Sequence, residues 1–84
     1  MHQGIRVYGA DWCQDTQHTL QHLQELGLEF TYVNVEEDAK ARHWVRQHNE
    51  GKQKLPTLDV SGRVLSVPDN RELDRVLQEK GLHG

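Results

Sequence analysis

The chain carries a single cysteine, and its surroundings suit chemistry. The stretch Val7-Tyr8-Gly9-Ala10-Asp11-Trp12-Cys13-Gln14-Asp15-Thr16 runs an apolar strand through a short polar loop into a helix. Cys13 falls at the start of that helix. A thiol there faces unpaired backbone N–H groups and the positive end of the dipole, both of which favour thiolate over thiol. Thiolate is the form that attacks disulfides, so Cys13 is a candidate nucleophile. Two carboxylates, Asp11 and Asp15, lie close in sequence and oppose thiolate formation, and no Lys or Arg occurs between Val7 and Leu26 to offset them. Asp15 also reads simply as a first-turn acid that stabilises the helix. The Thr16 hydroxyl either hydrogen-bonds the thiolate or packs at the helix start. Trp12 either forms an exposed lip beside the thiol or packs against the loop.

Other polar residues give weaker signals. Six histidines raise the question of a metal. His18 and His22 share one face of the first helix, away from its leucines, and no nearby acid or cysteine completes a ligand set. Solvated helix polarity is the better account, and no metal site is expected.

The elements that must position Cys13 are short. Gly4 to Gly9 reads as a strand. Residues 14–26 read as a helix with Leu20, Leu23 and Leu26 on its buried face, flanked by Thr16 and Thr19, and Gly27 as its cap. Glu29 to Val35 reads as a second strand burying Phe30, Val33 and Val35. The acidic run Glu36-Glu37-Asp38 suits the N-terminus of a second helix, which extends to His48, buries Ala41, Trp44 and Val45, and stops at Asn49-Glu50-Gly51. Leu55 to Val60 reads as a strand opened by Pro56. Ser61-Gly62 is a two-residue turn, and Arg63 to Val67 pairs back as a hairpin. Pro68 leads to Asp69 and Glu72, which fit a capping box for a last helix carrying Leu73, Val76 and Leu77 and ending at Gly81.

The resulting order is β-α-β-α-β-β-α, an α/β fold of one domain over residues 1–84, with a four-stranded mixed sheet flanked by three helices. The first crossover is expected to be parallel and right-handed. Eighty-four residues suffice for one small domain and not two. One cysteine permits no internal disulfide, so a stapled secreted scaffold is excluded and a reducing compartment, the cytoplasm, is expected. The N-terminus shows no basic-then-apolar leader, and no apolar run is long enough to span a bilayer. A net charge of −3 with both signs interspersed argues against nucleic acid as the partner. A soluble monomer is expected.

Three motifs in this order resemble the glutaredoxin branch of the thioredoxin superfamily, across about Ile5 to Leu82. Val7 to Cys13 looks like the strand and loop entering a glutaredoxin Cys-X-X-Cys motif. Lys54-Leu55-Pro56-Thr57 looks like the Thr-Val-Pro segment that holds a cis-proline beside the nucleophile. Gly62 to Leu65 with Pro68-Asp69-Asn70 is similar to the hairpin and helix start that hold the γ-glutamyl end of glutathione. Small bacterial glutaredoxin-like and mycoredoxin-like proteins are the nearest in flavour. Thr16 replaces the second cysteine, Ala10 stands where many members carry lysine, and Ser66-Val67 stands where many carry Gly-Gly.

The resemblance implies a thioredoxin fold and a monothiol oxidoreductase active on mixed disulfides between proteins and glutathione or a similar thiol such as mycothiol. Cys13 would be the nucleophile, with an external thiol as co-substrate and no resident cofactor. Trp12, Lys54, Leu55, Pro56, Asp69 and Asn70 would bind the thiol substrate. The Leu55 backbone would pair with it like an added strand if the Leu55-Pro56 bond is cis. Lys52 and Lys54 read equally as carboxylate partners or solvated loop lysines. Asp69 and Asn70 read as a helix cap that can also meet an α-ammonium. Two alternatives accompany this reading. One is a thioredoxin-fold protein-binding module with little or no turnover. The other is a monothiol glutaredoxin sharing an iron–sulfur cluster, although Cys13-Gln14-Asp15-Thr16 is not the Cys-Gly-Phe-Ser of that branch. Dithiol reduction of ribonucleotide reductase is excluded by the single cysteine.

Overall fold

The computed structural model describes residues 4–82. Its elements are β1 (Ile5–Gly9), α1 (Gln14–Glu25), β2 (Thr31–Asn34), α2 (Ala39–Gln47), β3 (Thr57–Val60), β4 (Arg63–Ser66) and α3 (Asn70–Glu79). This is the expected order. The four strands lie in the sequence β2-β1-β3-β4 across one sheet, with β1 parallel to β2 and antiparallel to β3. β1 is thus a central strand, which explains why only Arg6 of its five residues reaches solvent.

Alternation along the strands splits the core in two. Ile5 and Val7 of β1, with Leu58, Val60 and Leu65, pack against Leu23 of α1 and Leu73, Val76 and Leu77 of α3. On the other face, Tyr8 and Val35 pack with Ala41 and Val45 of α2. Trp44 stacks on Tyr8 with ring centroids 4.3 Å apart. Two helices cover one face and one covers the other.

Local chemistry sets the boundaries. α1 and α3 both end in Schellman motifs: Gly27 and Gly81 take φ of 73° and 70°, and Leu28 and Leu82 donate back to the carbonyls of Leu23 and Leu77. Asp38 and Asp69 cap α2 and α3, accepting from Ala41 N (3.0 Å) and Glu72 N (2.8 Å). In the β3–β4 hairpin, Ser61 and Gly62 take φ of 48° and 94°, the left-handed pair that matches strand twist.

Several boundaries and faces differ from the sequence-based expectation. Leu26 is the C-cap of α1 and is 38% exposed, and Leu20 is half-buried, so the buried face is Thr16, Thr19 and Leu23. The threonines win because the first turns of α1 lie against the end of β1. β2 begins at Thr31 instead of Glu29 and ends at Asn34, since an edge strand pairs only where β1 faces it. Val35 is buried as expected, whereas Phe30 and Val33 are half-buried and Leu28 takes a core place. Trp44 is half-buried instead of buried. β3 begins at Thr57 because Pro56 has no N–H to give a ladder. β4 stops at Ser66, and Val67 turns away with φ of 45°.

Candidate active site

The junction of β1 and α1 is built around a close approach. Gly9 has no side chain, and a Cβ there would collide with the Cγ2 and Oγ1 of Thr16. Thr16 is fully buried in that space, and its Oγ1 accepts from Ala10 N at 3.4 Å. The hydroxyl oxygen thus accepts from the strand end, and the Thr16 side chain packs at the start of the helix. Cys13 is the N-cap of α1, with extended backbone (φ −83°, ψ 118°), and its side chain makes no capping hydrogen bond. The half-buried thiol points instead at the Leu55 carbonyl oxygen, with Sγ at 3.8 Å. The Leu55-Pro56 bond is cis. Residues 42 positions apart thus meet at one sulfur.

The loop before Cys13 is tied to Tyr32 of β2 and to Glu36 beyond that strand. The Tyr32 hydroxyl donates to Asp11 Oδ1 at 2.7 Å, and Trp12 Nε1 donates to Glu36 Oε2 at 2.7 Å. Gln17 of α1 adds a bond from Nε2 to the Asp11 carbonyl at 2.5 Å. Trp12 is 66% exposed and held by its ring nitrogen, so it is not packed against the loop. One oxygen of Asp11, a carboxylate expected to oppose the thiolate, carries a hydrogen bond. Withdrawal from water, then the bond to Asp11 and the nearby negative charge, hold the Tyr32 phenol well above its ordinary range.

That direction gives a test. Folding favours the neutral phenol, so this contribution is present below a free phenol's value of ~10 and is lost as pH rises beyond it. A titration of tyrosinate absorbance, with the Tyr32→Phe chain subtracted, is expected to show no Tyr32 transition until well above ~10. A transition at the ordinary position would contradict the Tyr32–Asp11 bond.

A groove of about 360 Å³ opens alongside, lined by Asp15, His18 and Thr19 of α1, by Pro56, and by Val67, Pro68, Asp69 and Asn70 at the entry to α3. It therefore adjoins the residue that follows the Leu55 carbonyl. Of the expected substrate-binding residues, Leu55 meets Cys13, Pro56, Asp69 and Asn70 line the groove, and Trp12, next to Cys13 in the chain, is exposed and bonded to Glu36. Lys52 and Lys54 are exposed, and the Lys54 carbonyl accepts from Thr57 Oγ1 at 2.7 Å. Asp15 and His18 are groove residues; the sequence marked Asp15 as a carboxylate near the thiol or a first-turn acid, and His18 as helix polarity. Their signal is spacing: Asp15, His18 and Thr19 stand at i, i+3 and i+4 and so share one face of α1.

His22 corrects the expectation for the histidine pair. Its Nε2 lies 2.6 Å from Asp74 Oδ1 of α3, and its side chain is 16% exposed, so it bridges two helices. Among the described residues no three His, Cys, Asp or Glu side chains gather to hold a metal. No helix among them is long and apolar enough to cross a membrane.

The glutaredoxin family profile matches residues 5–65, from the first residue of β1 to within β4. The chain belongs to the glutaredoxin family. Mycoredoxin 1 of Corynebacterium glutamicum is 32% identical over 57 residues, covering 68% of this chain and 70% of that protein. Solved glutaredoxin folds superpose at lower identity. The glutaredoxin from Archaeoglobus fulgidus gives a TM-score of 0.74 at 15% identity, over 93% of this chain and 88% of that one. The glutaredoxin-like NrdH-redoxin from Escherichia coli gives 0.65 at 22%, over 74% and 79%. These two establish the fold, and the sequence matches establish the family. Glutaredoxin membership supports thiol–disulfide oxidoreductase chemistry, with thiols and disulfide-bearing proteins as the partner class.

Proposed function

We propose that this glutaredoxin works as a monothiol oxidoreductase on mixed disulfides between proteins and a low-molecular-weight thiol, glutathione or a similar one such as mycothiol. The observation that carries the reading is Cys13 itself. Its thiol is uncapped at the N-terminus of α1, faces the Leu55 carbonyl, and has a buried threonine where a resolving cysteine would sit.

In the first step the Cys13 thiolate attacks the low-molecular-weight sulfur of the mixed disulfide. The S–S bond breaks, the protein thiolate leaves and takes up a proton, and the small thiol stays on Cys13 as a new disulfide. The chain has no second cysteine, so a second molecule of the thiol, as its thiolate, attacks the adduct. Cys13 is regenerated, and the two small thiols depart as a disulfide. The helix N-terminus steadies the anion in both steps. Trp12 shields the site edge, the Leu55 backbone takes the substrate's cysteinyl portion, and Lys54 and the α3 entry at Asp69 and Asn70 take its charged ends. No resident cofactor is needed. The chain acts as a monomer in the cytoplasm.

Steady-state kinetics with hydroxyethyl disulfide and varied glutathione test the sequence of events. Parallel double-reciprocal lines are expected, because the first product leaves before the second thiol enters. Lines that intersect to the left of the axis would count against the covalent adduct.

A further inference from the structure

Asn49 is buried, at 6% exposure, although its side chain is a primary amide that must find partners for both its oxygen and its nitrogen. It follows the C-cap of α2 and joins that helix to β3 and β4. Its Nδ2 donates to the Val45 carbonyl at 2.7 Å and to Thr57 Oγ1 at 3.1 Å, and its Oδ1 accepts from Ser66 Oγ. The Val45 carbonyl can only accept, which fixes the orientation of the amide and the direction of the bonds beyond it. With its oxygen accepting from Asn49, the Thr57 hydroxyl gives its proton to the Lys54 carbonyl at 2.7 Å. The Lys54 and Leu55 carbonyls belong to the two peptide groups that flank the Leu55 α-carbon. One is held by this chain of bonds, and the other faces Cys13 Sγ at 3.8 Å.

We propose that Asn49 is a positioning residue for exchange at Cys13, acting through the Thr57 hydroxyl to hold the Leu55 backbone in place for the substrate's cysteinyl portion. The inference rests on the reading of Cys13 as nucleophile and of Leu55 as the backbone that pairs with substrate. The other arm differs. Ser66 is held opposite Thr57 by the β3–β4 ladder, so its hydroxyl bond to Asn49 adds stability without directing Leu55.

The test measures kcat/KM for a peptide–glutathione mixed disulfide at a temperature below every variant's melting transition. Thr57→Val keeps the shape of the side chain and removes the hydroxyl, and a fall of at least about tenfold is expected. Asn49→Ala is expected to match it, and the two substitutions together to add little beyond either, because both break one chain of bonds. Thr57→Ser keeps the hydroxyl, and Ser66→Ala breaks only the other arm. Both are expected to stay within about twofold of wild type although both lower Tm. If Asn49→Ala does not fold, the Thr57 pair decides. Wild-type kcat/KM in Thr57→Val would overturn the inference. So would a loss in Thr57→Ser or Ser66→Ala equal to that of Thr57→Val, since loosened packing alone would then explain the effect. Absence of wild-type turnover would instead overturn the reading of Cys13 on which the inference rests.

Discussion

Cys13→Ser is expected to lower turnover of hydroxyethyl disulfide by at least about 10³-fold while the chain stays folded. Serine matches the thiol in shape but cannot form the covalent adduct, and no other sulfur nucleophile of the cysteine type exists in the chain. Stability should hardly change. The thiol makes one long contact at 3.8 Å to Leu55 and no capping bond, so the expected stability difference is within about 0.5 kcal/mol. Disulfide exchange assayed beside a melting curve separates the two effects. Turnover retained by Cys13→Ser would remove the nucleophile from the account.

The second large effect is expected at Gly9. A methyl group there meets the buried Thr16 side chain at two of its atoms, and neither partner has room to move: β1 is central and Thr16 is fully buried. Gly9→Ala should destabilise the fold by about 2–3 kcal/mol, as overpacked cores do. For a domain of this size that lowers Tm by about 10 °C or more. The same junction sets the position of Cys13, so turnover should fall too. Thr16→Ala in the Gly9→Ala background should recover part of the loss, giving a coupling of about 1 kcal/mol or more. An unchanged Tm for Gly9→Ala would mean that the strand and helix are not in close contact.

Much of this arrangement was legible in the chain. The element order follows from periodicity and from punctuation by Gly27, Gly51, Ser61-Gly62 and Gly81, because local conformational preference is a local property. The cis bond at Pro56 was implied by family resemblance and is present. What was not legible lies between distant residues. Tyr32 reaches Asp11 across 21 positions, and His22 reaches Asp74 across 52. No periodicity encodes such meetings, because they depend on how finished elements pack. Leu26 shows the same limit from the other side: spacing put it on the core face, but the helix had already ended at Glu25. Thr16 reads as polar in isolation, and only the missing side chain of Gly9 makes it a core residue. Val67 was visible as a departure from Gly-Gly, whereas its left-handed backbone and its place on the groove are matters of geometry.

The central claim is that Cys13 carries a small thiol between two exchanges, and intact-protein mass spectrometry tests it most directly. Treated with glutathione disulfide, the wild-type chain should gain the mass of one glutathionyl group, and Cys13→Ser should gain none. Adding reduced glutathione should return the wild type to its starting mass. An adduct that never forms, or one that excess glutathione leaves in place, would contradict the account.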